Sequence, residues 1–418
     1  MAKIIYNGEY EKKAITDQFV ENLGGMLEKD PDVIYLDADL MFAFGAGLWD
    51  LGDKYPERVI RCGIAEANMV GTAAAMSVMG MKPIIHSFAS FITRRAFDQI
   101  FLSGAYGRKT LNIIGSEPGY KQTYWGGTHM AFEDIAMMRT VPNAHIFDIV
   151  DGVQFNKLIS KTVDMKGIYY YRTPLADNIA VYDEDTEFEI GKGIVLREGN
   201  DASIIACGRL VTISLQAAEL LEEEGIHVRV VDMFTIKPLD EALVLKCAQE
   251  TGAIVTAENH SVYGGLGAAV AEFLGENDPT VVERIGTRDE FGEVGSEAYL
   301  RERFGFTPER LLTCKRGNRK EERLIVKIEV IDDVTKTKIS KTDITTGALI
   351  PGAELEITDL NGKVYAKWTS TNEPYYIEKL PIGDYILKEK KAPTKDGYVK
   401  AEDVKFTVKD TAEIQKWK

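Results

Sequence analysis

Residues 63–80, GIAEANMVGTAAAMSVMG, and the two runs that flank them give the clearest indication of the fold class. Apolar residues recur in this stretch at helical spacing, and Glu66 is its one charged side chain. The stretch stands between RVIRC (58–62) and PIIHSF (83–88), two apolar runs of the length of buried strands. Because strand, helix and strand follow one another here, we predict a parallel sheet wrapped by helices.

The same alternation continues on both sides of this stretch. Further strand-like runs are VIYL (33–36), LNIIG (111–115), HIFDIV (145–150) and IYYYR (168–172). After the acidic stretch YDEDTEFE (182–189), a second series follows: ASIIACG (202–208), VRVVDMF (228–234), AIVTAEN (253–259) and VVERIG (281–286). This second series predicts another, smaller α/β domain.

The pattern changes after the charged stretch KRGNRKEER (315–323). Short β-rich runs then follow one another: LIVKIEV, AELEIT, KVYAKW, DYILKE and VKFTV. Asn361-Gly362 stands between two of them, which is a strong hairpin signal. We therefore expect two doubly wound α/β domains at 1–180 and 190–314, a linker at 315–325 and a small all-β sandwich at 326–418.

Composition excludes several classes of protein. The chain has 418 residues, of which 45% are apolar and 28% charged, so it is neither disordered, collagenous nor a disulfide scaffold. Its net charge is -15, of which -14 falls on the first 320 residues, and no basic run offers a nucleic-acid site. The four cysteines lie far apart, and no signal peptide or membrane span is evident. We expect a cytoplasmic protein that binds neither nucleic acid nor membrane.

Glu66 is the first candidate for chemistry. A first-turn glutamate can simply favour the helix dipole and face water. The apolar flanks favour instead a half-buried carboxylate, and such groups are candidate functional acids or bases. Glu66 also follows a strand, at the edge where open α/β sheets bind ligands.

Several motifs around Glu66 resemble one known family. The segments RCGIAEANM, HSFASFITRRAFDQI and GGTHMAFEDIAMMRTVPN resemble the pyrimidine-binding domain of transketolases. TIKPLD (235–240) and ENHSVYGGLGAAVAE (258–272) resemble the transketolase C-terminal domain. The resemblance covers residues 10–313, and its motifs stand in the family's order.

The resemblance implies thiamine diphosphate chemistry, in which a thiazolium carbanion attacks a ketose carbonyl and a two-carbon ketol unit passes to an aldose. It implies that Glu66 hydrogen-bonds a ring nitrogen of the aminopyrimidine, that Phe91, with Phe88 nearby, stacks on that ring, and that Asp39 lies near the cofactor. Without the resemblance, the two phenylalanines would be read as core and Asp39 as a helix cap. His129 matches a histidine that faces the substrate's oxygens. His260 is a weaker substrate candidate that could instead support a domain interface.

Four positions depart from the family's pattern. Glu117 stands where a histidine is expected and Trp125 where an aspartate is expected. Two phosphate-binding arginines of the family fall at Leu175 and Thr16. Since a phosphate dianion needs donors and positive charge, we expect an altered ketose specificity. The possible replacement cations are Lys121, Arg94, Arg95 and Arg172, although any of them could be a surface residue.

Half of the expected enzyme is missing from this chain. The family holds Mg²⁺ and the diphosphate with a GDG motif, which does not occur here. The chain thus resembles the C-terminal (beta) subunit of a split transketolase, inactive without an N-terminal partner subunit that carries the metal. We expect an α₂β₂ assembly and no metal ligands in this chain.

The tail resembles another family, the Cna B-like (prealbumin-like) repeats of surface proteins, through ISKTDITTGALIPGAELEITD, IEKLPIGDYILKEKKAPTKDGY and VKFTVKD. Many such repeats contain an intramolecular isopeptide bond. By motif position Lys341 would be the nucleophile, Glu389 the proton-shuttling acid and Asp410 the electrophile. The alternative is three solvated charges at strand ends.

Two other functions remain open from the sequence. One is a related thiamine enzyme, either a dehydrogenase beta-subunit or a deoxyxylulose phosphate synthase, which shares the glutamate, although TIKPLD and AFDQI favour transketolase. The other is an adhesive or scaffold protein with a degenerate enzyme portion. Retention of Glu66, Phe91 and His129 argues against the latter.

Overall fold

A computed structural model describes residues 2–175, 178–312, 324–331, 336–343, 349–378, 380, 383–392, 403–408 and 415–417. The chain forms two compact units, Met1–Arg316 and Gly317–Lys418. In the described ranges, no helix has the length and apolar character needed to cross a bilayer.

The first sheet of Met1–Arg316 has seven strands among the described residues, in the order β10-β5-β6-β4-β3-β1-β2. The strands are β1 (Val33–Asp37), β2 (Val59–Arg61), β3 (Lys82–Phe88), β4 (Leu111–Ser116), β5 (Ala144–Asp148), β6 (Ile168–Thr173) and, from the next domain, β10 (Thr235–Lys237). All neighbours are parallel except β10, which is antiparallel to β5. From β1 the chain continues to β2 on one side, and from β3 it continues to β4 on the other side, so the strand order reverses between β1 and β3. Open α/β sheets bind their ligands at the carboxyl ends of the two strands that flank such a point.

Helices cover both faces of this sheet. They are α1 (Ile15–Lys29), α2 (Ala46–Lys54), α3 (Glu66–Val78), α4 (Ala89–Gln99), α5 (Asp134–Arg139) and α6 (Gly152–Thr162). Strand β1 illustrates the reason, because its side chains enter two different apolar cores. Val33 and Tyr35 pack into one core, and Ile34 and Leu36 pack into a second. Since successive side chains of a strand point to opposite faces, a strand apolar at every position must be buried on both sides.

The second sheet has five strands in the described residues, in the order β12-β11-β8-β9-β7. They are β7 (Ile194–Arg197), β8 (Ala202–Ala206), β9 (Val228–Asp232), β11 (Ala253–Ser261) and β12 (Val281–Thr287). Only β7 is antiparallel to its neighbour. The accompanying helices are α7 (Leu210–Glu223), α8 (Glu241–Thr251), α9 (Leu266–Asn277), α10 (Glu297–Phe304) and α11 (Pro308–Leu312).

The described part of Gly317–Lys418 forms two four-stranded antiparallel sheets, in the orders β17-β14-β13-β20 and β16-β15-β18-β19. The strands are β13 (Leu324–Ile331), β14 (Lys336–Asp343), β15 (Glu354–Asp359), β16 (Val364–Thr369), β17 (Tyr375–Glu378), β18 (Gly383–Lys391), β19 (Val404–Val408) and β20 (Gln415–Trp417). The core includes Leu355, Ile357, Leu387 and Phe406. The hairpin signal holds, because Gly362 takes a φ of +86° in the turn between β15 and β16.

The predicted fold class is confirmed: two α/β domains precede an all-β domain. Each of the ten apolar runs of the α/β part contains a strand. Two short strands, β7 and β10, were not predicted, and both are the antiparallel additions that make the sheets mixed. The exact domain limits stay a prediction, since residues 313–323 lie outside the described ranges.

Candidate active site

Glu66 begins helix α3 and is buried, with 3% of its surface exposed. The chain reaches it from β2 through Gly63, whose φ of +70° lies in the left-handed region that glycine tolerates. The N-terminal end of a helix favours a carboxylate, since the free backbone N–H groups there carry partial positive charge. The half-buried carboxylate expected from the apolar flanks is therefore fully buried in the structure.

Two side chains donate hydrogen bonds to this carboxylate. Oγ of Ser87, on β3, lies 3.1 Å from Oε1 of Glu66. Nη1 of Arg95, on α4, lies 3.1 Å from Oε1 and 3.2 Å from Oε2. The sequence did not reveal Ser87, and it indicated Arg95 only as a possible replacement cation; the approach of α4 to α3 brings Arg95 to Glu66.

Aromatic rings gather beside Glu66. Phe88 ends β3 and Phe91 lies in the first turn of α4, with ring centroids 6.0 Å apart. The imidazole of His129 lies 4.8 Å from the ring of Phe91 and 6.0 Å from that of Phe88. Trp125, 62% exposed, lies 4.9 Å from the same imidazole. The fold thus brings together four residues that the sequence proposed separately.

His129 is held by a short loop after β4. Its Nδ1 lies 2.9 Å from Oγ1 of Thr128. Arg94 braces the loop, because Nη1 donates to the carbonyl of Thr128 at 3.0 Å and Nη2 to that of Met130 at 2.9 Å. Burial, followed by the positive charges of Arg95 and Arg94, lowers the pKa of His129 below its usual 6.5. The imidazole is therefore neutral at pH 7.

Asp39 follows β1, the strand beside β3, with a φ of +67°. Its carboxylate pairs with Nη2 of Arg61 at 2.6 Å. The same strands carry a buried hydrogen-bond network that the sequence did not indicate. Nδ1 of His86 lies 2.8 Å from Oδ2 of Asp37, and Nε2 of His86 lies 2.8 Å from Oγ of Ser116. This network ties together the ends of β1, β3 and β4, and with them the segments that carry Asp39 and Phe88.

Glu117 and Lys121 lie where the loop after β4 meets the second α/β domain. The backbone N–H of Leu175 donates to Oε1 of Glu117 at 2.8 Å, and burial raises the pKa of this carboxyl. Nζ of Lys121 lies 3.1 Å from Glu297, which also accepts from Arg209 at 2.8 Å. Lys121 is thus engaged in an ion pair with the second domain.

Arg172 and His260 lie in a fully buried polar network. The guanidinium of Arg172 bonds Asp134 at 2.8 Å and Asp148 at 2.9 Å, and it donates to the carbonyl of Asn259 at 2.5 Å. His260 lies 3.9 Å from Asp134, and burial lowers its pKa to about 4. The substrate role of both stays a prediction, and in this fold both connect the two α/β domains.

The all-β domain presents one of its three predicted isopeptide residues. Glu389 lies on β18 with 2% of its surface exposed. Lys341 lies on β14, but its side chain is outside the described part, and so is all of Asp410. In the described residues of the whole chain, no three His, Cys, Asp or Glu side chains form a group suited to a metal ion.

The geometry suits a flat, hydrogen-bonding heterocycle. Between Phe91 and Glu66 the structure already holds a planar donor, the guanidinium of Arg95, whose carbon lies 4.0 Å from the Phe91 ring centroid. An aromatic face beside a buried carboxylate provides stacking and a charge-assisted hydrogen bond to the same planar group. These are the contacts that an aminopyrimidine needs.

Comparison with known proteins identifies the chain. Residues 11–175 match the family described as "Transketolase, pyrimidine binding domain", and residues 191–311 match "Transketolase, C-terminal domain". The "6-deoxy-6-sulfo-D-fructose transketolase subunit SqwH" of Clostridium sp. is 42% identical over 302 residues, which are 72% of this chain and 93% of that protein. This chain belongs to the transketolase family. Residues 335–418 match a "Prealbumin-like fold domain", which confirms the second resemblance.

Other relatives of this transketolase chain are also split subunits. A relative from Phocaeicola vulgatus, named as a subunit of apulose-4-phosphate transketolase, is 37% identical over 280 residues, 67% of this chain and 88% of that one. A solved structure described as "Split gene transketolase, inactive beta4 tetramer" is 38% identical and covers 72% of this chain and 96% of its own, with a TM-score of 0.67. The chain is thus a transferase subunit of the split, thiamine-dependent kind, and the dehydrogenase, synthase and scaffold alternatives are not favoured.

Proposed function

We propose that this chain supplies the pyrimidine-binding half of a thiamine-diphosphate site that transfers a two-carbon ketol unit from a ketose to an aldose. The observation that carries the proposal is the buried Glu66 carboxylate beside the Phe91 ring and the His129 imidazole. When bound, the cofactor supplies an acidic carbon that attacks the ketose carbonyl and an electron sink for the cleaved carbon–carbon bond.

Each residue has a proposed task. Glu66 accepts a hydrogen bond from a ring nitrogen of the aminopyrimidine and shares its proton with that ring. Phe91 stacks on the ring, and Phe88, 6.0 Å from Phe91 between ring centroids, is the nearby aromatic residue. His129, neutral at pH 7, accepts or returns the proton of a substrate hydroxyl. Asp39 is a further residue near the cofactor in this proposal, since it follows β1, the strand beside β3.

The partner proposal concerns what this chain lacks. We propose that an N-terminal subunit holds Mg²⁺ and the diphosphate, and that two copies of each subunit form an α₂β₂ enzyme. A relative's structure is described as an inactive β4 tetramer, which supports the expectation that the beta chain alone does not turn over. Co-purification with the neighbouring gene product, followed by thiamine-diphosphate titration, tests this, and turnover by the isolated chain would contradict it.

The substrate proposal is an altered ketose specificity. Two relatives are named for different sugars, 6-deoxy-6-sulfo-D-fructose and apulose 4-phosphate, so specificity varies among such subunits. In this chain Glu117 is a carboxyl and Lys121 is paired with Glu297. The test compares steady-state rates of the two-subunit enzyme on these two sugars and on xylulose 5-phosphate with ribose 5-phosphate. Full activity on the last pair would refute altered specificity.

For the all-β domain we propose an isopeptide bond between Lys341 and Asp410, with Glu389 as the acid. The burial of Glu389 supports this proposal. A buried, apolar setting disfavours the charged forms of lysine and carboxyl groups, and a neutral lysine amine is the nucleophile that amide formation needs. Condensation releases one water, so intact mass should lie about 18 Da below the sequence mass. Lys341→Arg should restore the full mass, and an unchanged mass in the wild type would eliminate the bond.

We propose that the protein lies in the cytoplasm, which cell fractionation with an antibody against this chain tests. We also propose that the three domains span 1–180, 190–314 and 326–418, with a linker at 315–325. Limited proteolysis should cleave within the linker and leave two resistant fragments.

A further inference from the structure

We propose that Arg95 is a built-in competitor of the cofactor: it contacts Glu66 and Phe91 in the folded chain and must leave them when the aminopyrimidine binds. The inference rests on the proposed function, because it assumes that these two residues hold the ring. It adds a residue whose displacement sets the affinity of the site.

The competition follows from helix geometry. Phe91 and Arg95 are four residues apart on α4, so their side chains lie on the same face. The guanidinium carbon lies 4.0 Å from the Phe91 ring centroid, which is a cation–π contact. The same guanidinium donates to both oxygens of Glu66, at 3.1 and 3.2 Å.

One planar group therefore uses both surfaces that the cofactor ring needs. The guanidinium lies against the face of Phe91, where a stacked ring would lie. Its N–H also occupies a position on the Glu66 carboxylate where a ring nitrogen would form its hydrogen bond. The two occupants cannot share these contacts. Binding of the ring must break the Arg95 contacts or push them aside.

The two partners differ in how easily they can move. The side chain of Arg95 is 46% exposed, so water can solvate it when it swings away. That of Glu66 is 3% exposed and is also held by Ser87, so it stays in place. A buried carboxylate without a counter-charge is costly, and Arg95 supplies that charge in this fold.

Arg94 offers a matched control. It is the adjacent residue on α4 and carries the same charge, but it contacts Glu133 and the carbonyls of Thr128 and Met130. No described contact joins it to Glu66. Replacing either arginine by glutamine changes the local charge equally, but only Arg95→Gln removes the competitor.

The test is isothermal titration of thiamine diphosphate into the Mg²⁺-loaded two-subunit complex. Arg95 itself is half exposed, so its ion pair with Glu66 and its cation–π contact with Phe91 are each of modest strength. Removing both contacts with Arg95→Gln should tighten cofactor binding about five-fold or more. Arg94→Gln should produce no tightening. Unchanged or weaker binding by Arg95→Gln would overturn the inference.

Glu66→Gln separates this failure from failure of the proposed function. If Glu66→Gln weakens cofactor binding while Arg95→Gln does not tighten it, only the competition is wrong. If Glu66→Gln leaves cofactor affinity and turnover unchanged, the proposed function itself is wrong.

Discussion

The hydroxyl of Ser87 donates a 3.1 Å hydrogen bond to Oε1 of Glu66, and both groups are buried. Ser87 precedes the last residue of β3, and Glu66 begins α3, so the bond joins a strand end to a helix start. Because Ser87 is on the rigid sheet, it sets the direction in which the carboxylate points. The relationship makes Ser87 a positioning residue for the proposed acid.

Glu66→Gln should abolish most turnover of the two-subunit enzyme. Glutamine keeps the shape but cannot share a proton, and a positioned acid–base group contributes about 10²–10⁴-fold in rate. Steady-state kinetics with saturating cofactor measures the effect, and circular dichroism checks the fold. Glu57→Gln, the same change at an exposed site, should leave the rate unchanged. A Glu66→Gln rate within two-fold of wild type, on the order of experimental scatter, would contradict the assignment.

Ser87→Ala should lower kcat about ten-fold and leave KM for the sugar nearly unchanged. A hydrogen bond to a charged group is worth about 1.5–3 kcal/mol, and this one orients the acid rather than the substrate. Ser90→Ala is the matched control, since Oγ of Ser90 is buried but has no hydrogen-bond partner among the described residues. A rise in KM with unchanged kcat would show that Ser87 acts on substrate binding instead.

The acid side of the pH–rate profile should report His129. Burial, and then the positive charges of Arg95 and Arg94, lower the pKa of His129 from its usual 6.5, so the fall in kcat/KM should occur at a pH below that usual value. Arg94→Gln removes one of these positive charges, raises the pKa and should move the acid limb to higher pH. His129→Gln should remove the limb. A limb that stays in place in both variants would exclude His129 as its origin.

Asp232→Asn should stabilise the protein at alkaline pH. Burial raises the pKa of Asp232 to about 7, although Tyr182 and Gln154 each donate a hydrogen bond to it. The native state then binds a proton that the unfolded state has lost, so stability falls as pH rises from about 4 to about 7. Urea unfolding should show a gain of at least about 1 kcal/mol at pH 8 and a smaller one at pH 5. Asp98→Asn, at an exposed site, should show no such pH dependence.

Arg172→Leu should destabilise the first unit by about 3–5 kcal/mol at pH 7, because it leaves Asp134 and Asp148 buried without their cation. Acidification should recover part of the loss, since protonated carboxyls need no counter-charge. Arg197→Leu removes an ion pair with Glu222 that is partly exposed, and it should cost less than about 1 kcal/mol. Urea unfolding measures both variants. An equal decrease in the free energy of unfolding would show that the buried ion pairs of Arg172 stabilise the fold no more than the partly exposed pair of Arg197.

Much of the fold was predictable from local pattern. Buried parallel strands are nearly continuous apolar runs, so the run VIYL and its equivalents were recognisable. Strands β7 and β10 were missed because they are only four and three residues long and gain stability by pairing at sheet edges. For β10, the partner is β5 in the other domain, a pairing that no local pattern contains.

Residue type and local spacing are enough to establish the strand–helix order, the family motifs and the chemical character of Glu66, Phe91 and His129. Which of these side chains meet depends on how the helices and strands pack. Arg95 reaches Glu66 because α4 packs beside α3, and the buried guanidinium of Arg172 is stabilised by Asp134 of α5 and Asp148 of β5. Burial and pairing depend on contacts between residues far apart in sequence, so whether a charged side chain serves the site or the core is decided by the folded chain.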